Sequence, residues 1–415
     1  MPTATRPSMN RASSSESSIA STSASTSYLR RDRCRPPPLQ FCAQMNADIR
    51  SNPVLDSPYF DLAGHIGNRA YCLHNVAYAD SPTAETVTLL DVGVKDLLPV
   101  LMPAPTVLSP KGVTFAIRHS EGRGWARHVR SAEYPQRPIL VAPYIIALQT
   151  HSEADIYAAL LHRLSADTRM RFMELANCKP AEECGTLEGI MRTNAIGISL
   201  NVPDVPHPEL ATHRGIFLNI SRCNHSCGPN AKWQWDPASF SLSLVALRPI
   251  HAGQEITVAY ITPTCSRTER RAKLKAIYNF SCRCEFCARP ASLTFKSDAA
   301  RAELVSESGL PSFENWCLDA NIPDHALIDA HMRAVSLIEA EGLQTLDSYG
   351  KHLDAIAMGY GALRDVEGFR EWAWRAMDFR PMDSGASRVL ENWILDPETF
   401  PVWGWRTSPT PFQRD

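Results

Sequence analysis

Three cysteines, Cys282, Cys284 and Cys287, fall within six positions and spell C-x-C-x-x-C. The chain has 12 cysteines in 415 residues, so this crowding is not a composition effect. Thiolates at that spacing suit one soft cation, and a structural zinc site asks for four tetrahedral ligands. Three are local, so a fourth must come from elsewhere. Cys227, inside the polar run Asn224-His225-Ser226-Cys227-Gly228-Pro229-Asn230, is the best candidate. The alternative is a set of buried thiols that hold no metal.

Two more runs flank this chemistry. Gly253-Gln254-Glu255-Ile256-Thr257-Val258-Ala259-Tyr260 lies between the two cysteine groups, and Tyr278-Asn279-Phe280-Ser281 leads into the triplet. Taken in order, N-H-S-C-x-P-N, G-x-E-I-x-x-x-Y and Y-x-F-x-C-x-C-x-x-C resemble the SET domain of protein lysine methyltransferases. The branch they are most similar to contains the SMYD proteins and their fungal relatives. The resemblance implies an α+β fold: a SET-domain β-clip core with a pseudoknot, a zinc-bound post-SET segment, then an α-helical, TPR-like domain. It also implies that Cys227 joins Cys282, Cys284 and Cys287 around Zn2+. His225 is not assigned to the metal, because four thiolates already fill a tetrahedral shell.

The activity implied is S-adenosylmethionine-dependent N-methylation of a lysine in a histone or non-histone protein. By resemblance, Tyr260 is the catalytic tyrosine and Tyr278 a second tyrosine of the lysine channel. Gly122, Arg123, Gly124, Trp125, Asn194, Ser221, Asn224, His225 and Phe280 would surround the cofactor. Each has a plainer reading. The glycine pair reads equally as a hairpin turn, Asn194 as a helix-terminal residue satisfying its own backbone, and His225 as a satisfied core histidine. Tyr278 and Phe280 read equally as packing for the metal site. The competing function is a catalytically weak interaction scaffold on the same fold. A third is an active enzyme on an acceptor other than lysine.

The elements that must position these residues follow from patterning. Residues 1–40 are rich in Ser, Thr, Arg and Pro and cannot bury enough apolar surface to order themselves. Their basic cluster reads as a nuclear signal, a transit peptide or a tail with no address. Residues 41–108 carry short strand patterns at Val87–Leu90 and Val100–Met102 but no functional reading. The expected SET core spans 109–290. It opens with a strand at Val113–Ile117 and the Gly122-Arg123-Gly124 turn. Ser131–Arg137 replaces the second glycine turn usual in the family. Helical spacing over 151–193, with caps at Ser152 and Ser165, predicts a helical insert. Strands are expected at Gly215–Ile220, Ala231–Trp235, Leu242–Leu247 and Glu255–Tyr260, and the post-SET segment at 278–290. Only Cys178 and Cys184 fall in the region where SMYD proteins place a MYND zinc finger, too few for one.

From 291 to 395 apolar periodicity predicts a helical domain, and 396–415 reads as a tail. Phe369, Trp372 and Trp374 are expected in its core. A peptide or protein partner on that domain is a further expectation. Net charge is −2 with 21% charged residues, which gives no global case for nucleic acid. No apolar run reaches the length of a membrane span, and residues 1–30 lack the apolar stretch of a secretory signal. Crowded cysteines then point to reduced, metal-bound thiols in the nucleus or cytoplasm.

Overall fold

The computed structural model describes residues 59–62, 69–76, 78, 84–91, 116–120, 124–128, 136–143, 153–200, 212–237, 239–306, 310–380 and 385–408. Residues 1–40, the strand expected at Val100–Met102, most of Ser131–Arg137, Ser152, Gly122 and Arg123 lie outside them.

Strands β1 (Tyr59–Leu62), β2 (Arg69–Val76) and β3 (Thr86–Asp91) open the chain. Next come the hairpin β4 (Ala116–Ser120) and β5 (Gly124–His128), then β6 (Leu140–Pro143). Helices α1 (Glu153–His162), α2 (Ala166–Met173) and α3 (Thr186–Asn194) occupy the expected insert, and Ser165 caps α2 by accepting from the Thr168 N–H. Strands β7 (Ile196–Ser199) and β8 (Thr212–Ile216) follow. Six of these strands form one sheet in the order β1-β2-β3-β6-β8-β7, antiparallel except for the β3–β6 pair. Strands β1, β2 and β3, which the sequence left without a role, therefore belong to the same sheet as the strands assigned to the core. Their runs are too short to announce a partner that follows fifty residues later.

Alternate residues of each strand face opposite sides. Leu89, Leu140, Ala142 and Ile216 pack on Ile156 and Leu160 of α1. Leu90, Val141 and Phe217 pack instead on Leu242, Leu244, Ile256 and Val258. The sheet is thus covered on both faces, which explains its continuous apolar runs. Each fully buried Leu or Ile here contributes about 1.5–3 kcal/mol.

The second face is built by β9 (Asn224–His225), the hairpin of β10 (Ala231–Asp236) and β11 (Ser241–Ala246), and β12 (Thr257–Val258). The strand expected over Glu255–Tyr260 is cut to two residues. Its partner β9 has only two, paired in parallel as Thr257 with Asn224 and Val258 with His225. Strand β8 also ends early, at Ile216, because Ile220–Arg222 turn as a 3-10 helix.

Helix α4 (Arg267–Tyr278) begins with a full capping box, Ser266 with Glu269. It ends on Asn279 in the left-handed region, φ 55°, which turns the chain into the cysteine triplet. Beyond the short α5 (Glu285–Ala288) come α6 (Ala291–Ser306), α7 (Phe313–Leu318), α8 (Ala326–Ala340), α9 (Asp347–Ala362), α10 (Val366–Asp378) and α11 (Gly385–Leu395). Phe369 and Trp372 of α10 are core residues, but Trp374 is 45% exposed. Five residues after Phe369 a helix has turned well past the buried face. Residues from 396, read as a tail, fold back: the Gly404 and Arg406 N–H groups donate to the Gly361 and Ala362 carbonyls at 2.9 and 3.1 Å.

The helical region is clamped to the turn around Cys227 through Arg301 and Glu341, both buried. Arg301 Nε donates to Glu341 Oε2 at 3.0 Å, and its Nη1 donates to the carbonyl of Cys227 at 3.1 Å and to that of Pro263. Arg289 and Ser297 also donate to the Glu341 carboxylate. Gly228 and Gly342 meet at this junction. A Cβ on Gly228 would collide with the Phe286 ring and come within 2.8 Å of the Glu341 carbonyl. Removing one partner of a buried ion pair strands the other charge. We expect Glu341→Ala to cost about 3–5 kcal/mol in denaturant unfolding of the full chain. A loss below about 1 kcal/mol, the range of an exposed pair, would refute the clamp.

Candidate active site and metal centre

The β9–β12 pairing brings two distant motifs side by side, and side chains lock it. Asn230, buried at the end of the first motif, donates from Nδ2 to the Glu255 carbonyl at 2.9 Å. Its Oδ1 accepts from the Thr257 N–H at 2.8 Å. Asn224 Nδ2 donates to Glu255 Oε1 at 2.7 Å.

His225 is buried and bridges the two chemistries. The Tyr260 backbone N–H donates to its Nδ1 at 3.0 Å. Nδ1 is therefore an acceptor, and in the neutral ring the proton sits on Nε2. Nε2 lies 3.4 Å from Cys227 Sγ.

Tyr260 is half-buried, and its hydroxyl donates to the Cys223 carbonyl at 2.6 Å. Its ring stands 4.9 Å from that of Tyr278 at 49° and 5.5 Å from that of His225. Burial, reinforced by Cys223, Tyr278 and Glu255, raises the Tyr260 pKa well above that of a free phenol. The hydroxyl therefore stays neutral and protonated at any physiological pH.

Cys227, Cys282, Cys284 and Cys287 are all buried free thiols, with sulfurs within 4.8 Å of one another. Cys227 Sγ lies 4.0 Å from Cys282 Sγ and 3.6 Å from Cys287 Sγ. Tetrahedral zinc–thiolate bonds imply sulfur–sulfur distances of about 3.8 Å, so the donor set fits one zinc ion. The crowding makes the same point. Hydrogen bonds from Cys282, Cys284 and Cys287 push the Cys227 thiol up, while those from Cys227, Cys282 and Cys287 push Cys284 down. Four thiols this close ionise together only around a cation. Among the described residues this is the one group of three or more His, Cys, Asp or Glu whose ligand atoms converge in this way.

Of the residues expected around the cofactor, Ser221 and Asn194 meet at the 3-10 turn. Ser221 donates to the Asn194 carbonyl at 2.9 Å and accepts from the Phe217 N–H at 3.2 Å. Strand β5, which carries Gly124 and Trp125, lies against this turn. Asn194 Nδ2 donates to the carbonyls of Ala176 and Ile190 at 2.6 and 2.7 Å, so both its amide protons are used within the protein. The half-buried Phe280 ring lies 6.2 Å from that of His225. Gly122 and Arg123 lie outside the described residues.

Sequence reasoning gave no role to Asn230, Glu255 or Cys223, although the first two stand inside the quoted motifs. Nor did it find Gln136, whose Oε1 accepts from the Asn219 and Ile220 N–H groups, each at 3.1 Å. A lone glutamine carries no pattern that would reveal it.

The SET-domain family model matches residues 123–261, the segment that holds the two crossed motifs. Among similar proteins is the histone-lysine N-methyltransferase set5 of Schizosaccharomyces pombe, 32% identical over 140 residues, 34% of this chain and 40% of that protein. A SET and MYND domain-containing protein of Dictyostelium discoideum is 34% identical over 101 residues, 24% of this chain and 29% of its own length. The chicken (Gallus gallus) protein-lysine N-trimethyltransferase SMYD5 is 40% identical over 77 residues, 18% of each chain. The chain thus spans less than half the length of these curated relatives.

Metal binding generates the test. Zinc analysis of the purified chain should give one ion per molecule. Cys227→Ser should lose most of it and lower the melting temperature, because binding energy at such a site is folding energy. Folded wild-type protein without zinc would refute the assignment.

Proposed function

We propose that this protein transfers a methyl group from S-adenosylmethionine to a lysine side chain of a histone or non-histone protein. The observation that carries this reading is the Tyr260–Tyr278 pair, which joins the chain just after β12 to the end of α4, with a neutral hydroxyl bound to the Cys223 carbonyl and a Tyr260 backbone fixed by His225. The lysine methyltransferase names of similar proteins support it. When bound, S-adenosylmethionine supplies a methyl group on a sulfonium that a neutral amine can displace in line. Asn224, the Ser221–His225 backbone, the Phe280 ring and the β5 edge would hold it.

The chain's own residues then have two tasks. They must strip water from the lysine and align its nitrogen. An ordinary lysine is neutral at pH 7 in roughly one molecule in two thousand. Two aromatic rings and a buried hydroxyl give a poorly solvated lining that favours the neutral amine. Tyr260 has no need to act as a base, and its raised pKa keeps it from doing so. A cavity of about 370 Å³ lies beside β12, lined by Lys232, Trp233, Gln234, Val258, Ala259, Thr345 and Asp347. Unpaired, crowded thiols favour the nucleus or cytoplasm.

Tyr260→Phe should bind cofactor almost as tightly as wild type but methylate at least about a hundredfold more slowly in single-turnover assays. Tyr278→Phe should change how many methyl groups are added more than it slows the first. The wild-type rate should climb with pH above 7 as the amine loses its proton, with no fall from Tyr260 ionisation up to pH 10. No transfer from labelled S-adenosylmethionine to any lysine in a cell lysate would favour the scaffold reading instead. An unchanged Tyr260→Phe rate would show that the alignment belongs to another residue.

A further inference from the structure

The segment between α2 and α3 is pinned to α3 and touches the end of α4. The Cys178 N–H donates to Thr193 Oγ1 at 3.1 Å, and that hydroxyl donates to the Gly189 carbonyl at 2.7 Å. Asn177 lies so close to Gly189 that a Cβ there would stand 2.4 Å from its amide oxygen. From this fixed base extends Lys179, whose side chain is only 8% exposed. Its Nζ donates to the Ile277 carbonyl at 2.6 Å, 98 residues further along the chain. A lysine is rarely buried without a partner. Here the partner is a backbone carbonyl in the last turn of α4.

That carbonyl is well placed in two ways. The last carbonyls of a helix lack an intrahelical donor, and a helix C-terminus favours a cation. Ile277 also precedes Tyr278, the final residue of α4. Its carbonyl belongs to the planar peptide unit that carries the Tyr278 N–H. The contact therefore fixes the base of the Tyr278 side chain, whose ring meets that of Tyr260 at 4.9 Å. Two other bonds stay within the turn itself: the Asn279 N–H donates to the Lys275 carbonyl, and the exposed Lys275 Nζ donates to Asn279 Oδ1 at 2.8 Å. Behind Lys179 stands a brace. Glu183 Oε1 lies 3.8 Å from the Lys179 ammonium and 2.8 Å from Arg192 Nη2, and Arg192 Nη1 lies 3.4 Å from Glu188 Oε1. Arg192 and Glu188 are both on α3.

We infer that Lys179 is a positioning residue for Tyr278: a strut from the helical insert that holds the second tyrosine against Tyr260 and so sets how many methyl groups a lysine receives. The inference rests on the methyltransferase reading. Lys179 acts through the backbone and does no chemistry of its own. Without the strut the last turn of α4 is free to shift, and misplacing a group at a reacting centre by about 1 Å can cost about a hundredfold. Lys179→Met keeps most of the buried stem and drops the ammonium.

The experiment uses the full chain, labelled S-adenosylmethionine and a cell lysate as acceptor, with mono-, di- and trimethyllysine resolved by mass. Wild type, Lys179→Met, Lys179→Arg, Tyr278→Phe and the Lys179→Met, Tyr278→Phe double variant are compared. Lys179→Met should change the product ratio in the direction that Tyr278→Phe takes, by about tenfold, the scale of one lost charge-assisted hydrogen bond. The KM for S-adenosylmethionine should stay near the wild-type value. Lys179→Arg, which restores a cationic donor, should recover part of the change. Added to Tyr278→Phe, Lys179→Met should alter the ratio little further, because both act through one hydroxyl. Zinc content is the control, since the Tyr278 ring also packs beside the cysteines. A ratio that changes only where zinc is lost would overturn the inference. An active Lys179→Met enzyme with the wild-type ratio, whatever its melting temperature, would make the lysine a packing residue and overturn its role while leaving the methyltransferase reading standing. So would fully additive effects in the double variant. A wild type that methylates no lysine would overturn both. If Lys179→Met does not fold, Lys179→Gln drops the charge but keeps a polar side chain, and gives the same comparison.

Discussion

Cys227 is held by five residues. Its sulfur meets Cys282, Cys287 and the His225 ring, its N–H donates to Cys284 Sγ, and its carbonyl accepts from Arg301. The next residue is a glycine because Phe286 leaves no room for a Cβ. This short turn is where the twisted sheet, the cysteine triplet and the C-terminal helices touch. Moving it would shift β9, and with β9 its partner β12, two residues ahead of Tyr260.

The electrostatics follow from that crowding. Four crowded thiols and the buried guanidinium groups of Arg270 and Arg301 share a region with little water. A few residues away the same dryness keeps a phenol neutral. His225 separates the two regimes. It faces sulfur with one nitrogen and the tyrosine backbone with the other. A fixed tautomer can thus carry the geometry of one centre to the other without moving a proton.

Much of this was legible because the residues are chemically specialised. Four cysteines at metal-ligand spacing leave few alternatives, and the motif around Cys227 was rightly paired with the triplet far downstream. The helices of the insert and C-terminal region were legible from periodicity. What was not legible had no local signature. Strands 59–91 are short and join a strand distant in sequence. Asn194 is expected at the cofactor, and nothing in the sequence shows that its amide protons go to the Ala176 and Ile190 carbonyls. The start of α4 was written plainly as Ser266-x-x-Glu269, yet the eye is drawn past it to the motifs on either side. Arg270 and Arg301 are invisible in advance, because nothing in a sequence distinguishes a buried arginine from the many on a surface.

The parallel pairing of β3 with β6 has a practical side. The recognisable domain begins at residue 123, so that is where a protein chemist would be tempted to cut. A fragment starting there would keep β6 and lose its neighbour on one side. The row of N–H and C=O groups now covered by Val87 and Thr88 would face water on a strand that is apolar on both faces. Such an edge pairs readily with another chain. The strands ahead of the matched segment thus act as a built-in guard against self-association, a task unconnected with methyl transfer and one that motif recognition does not see.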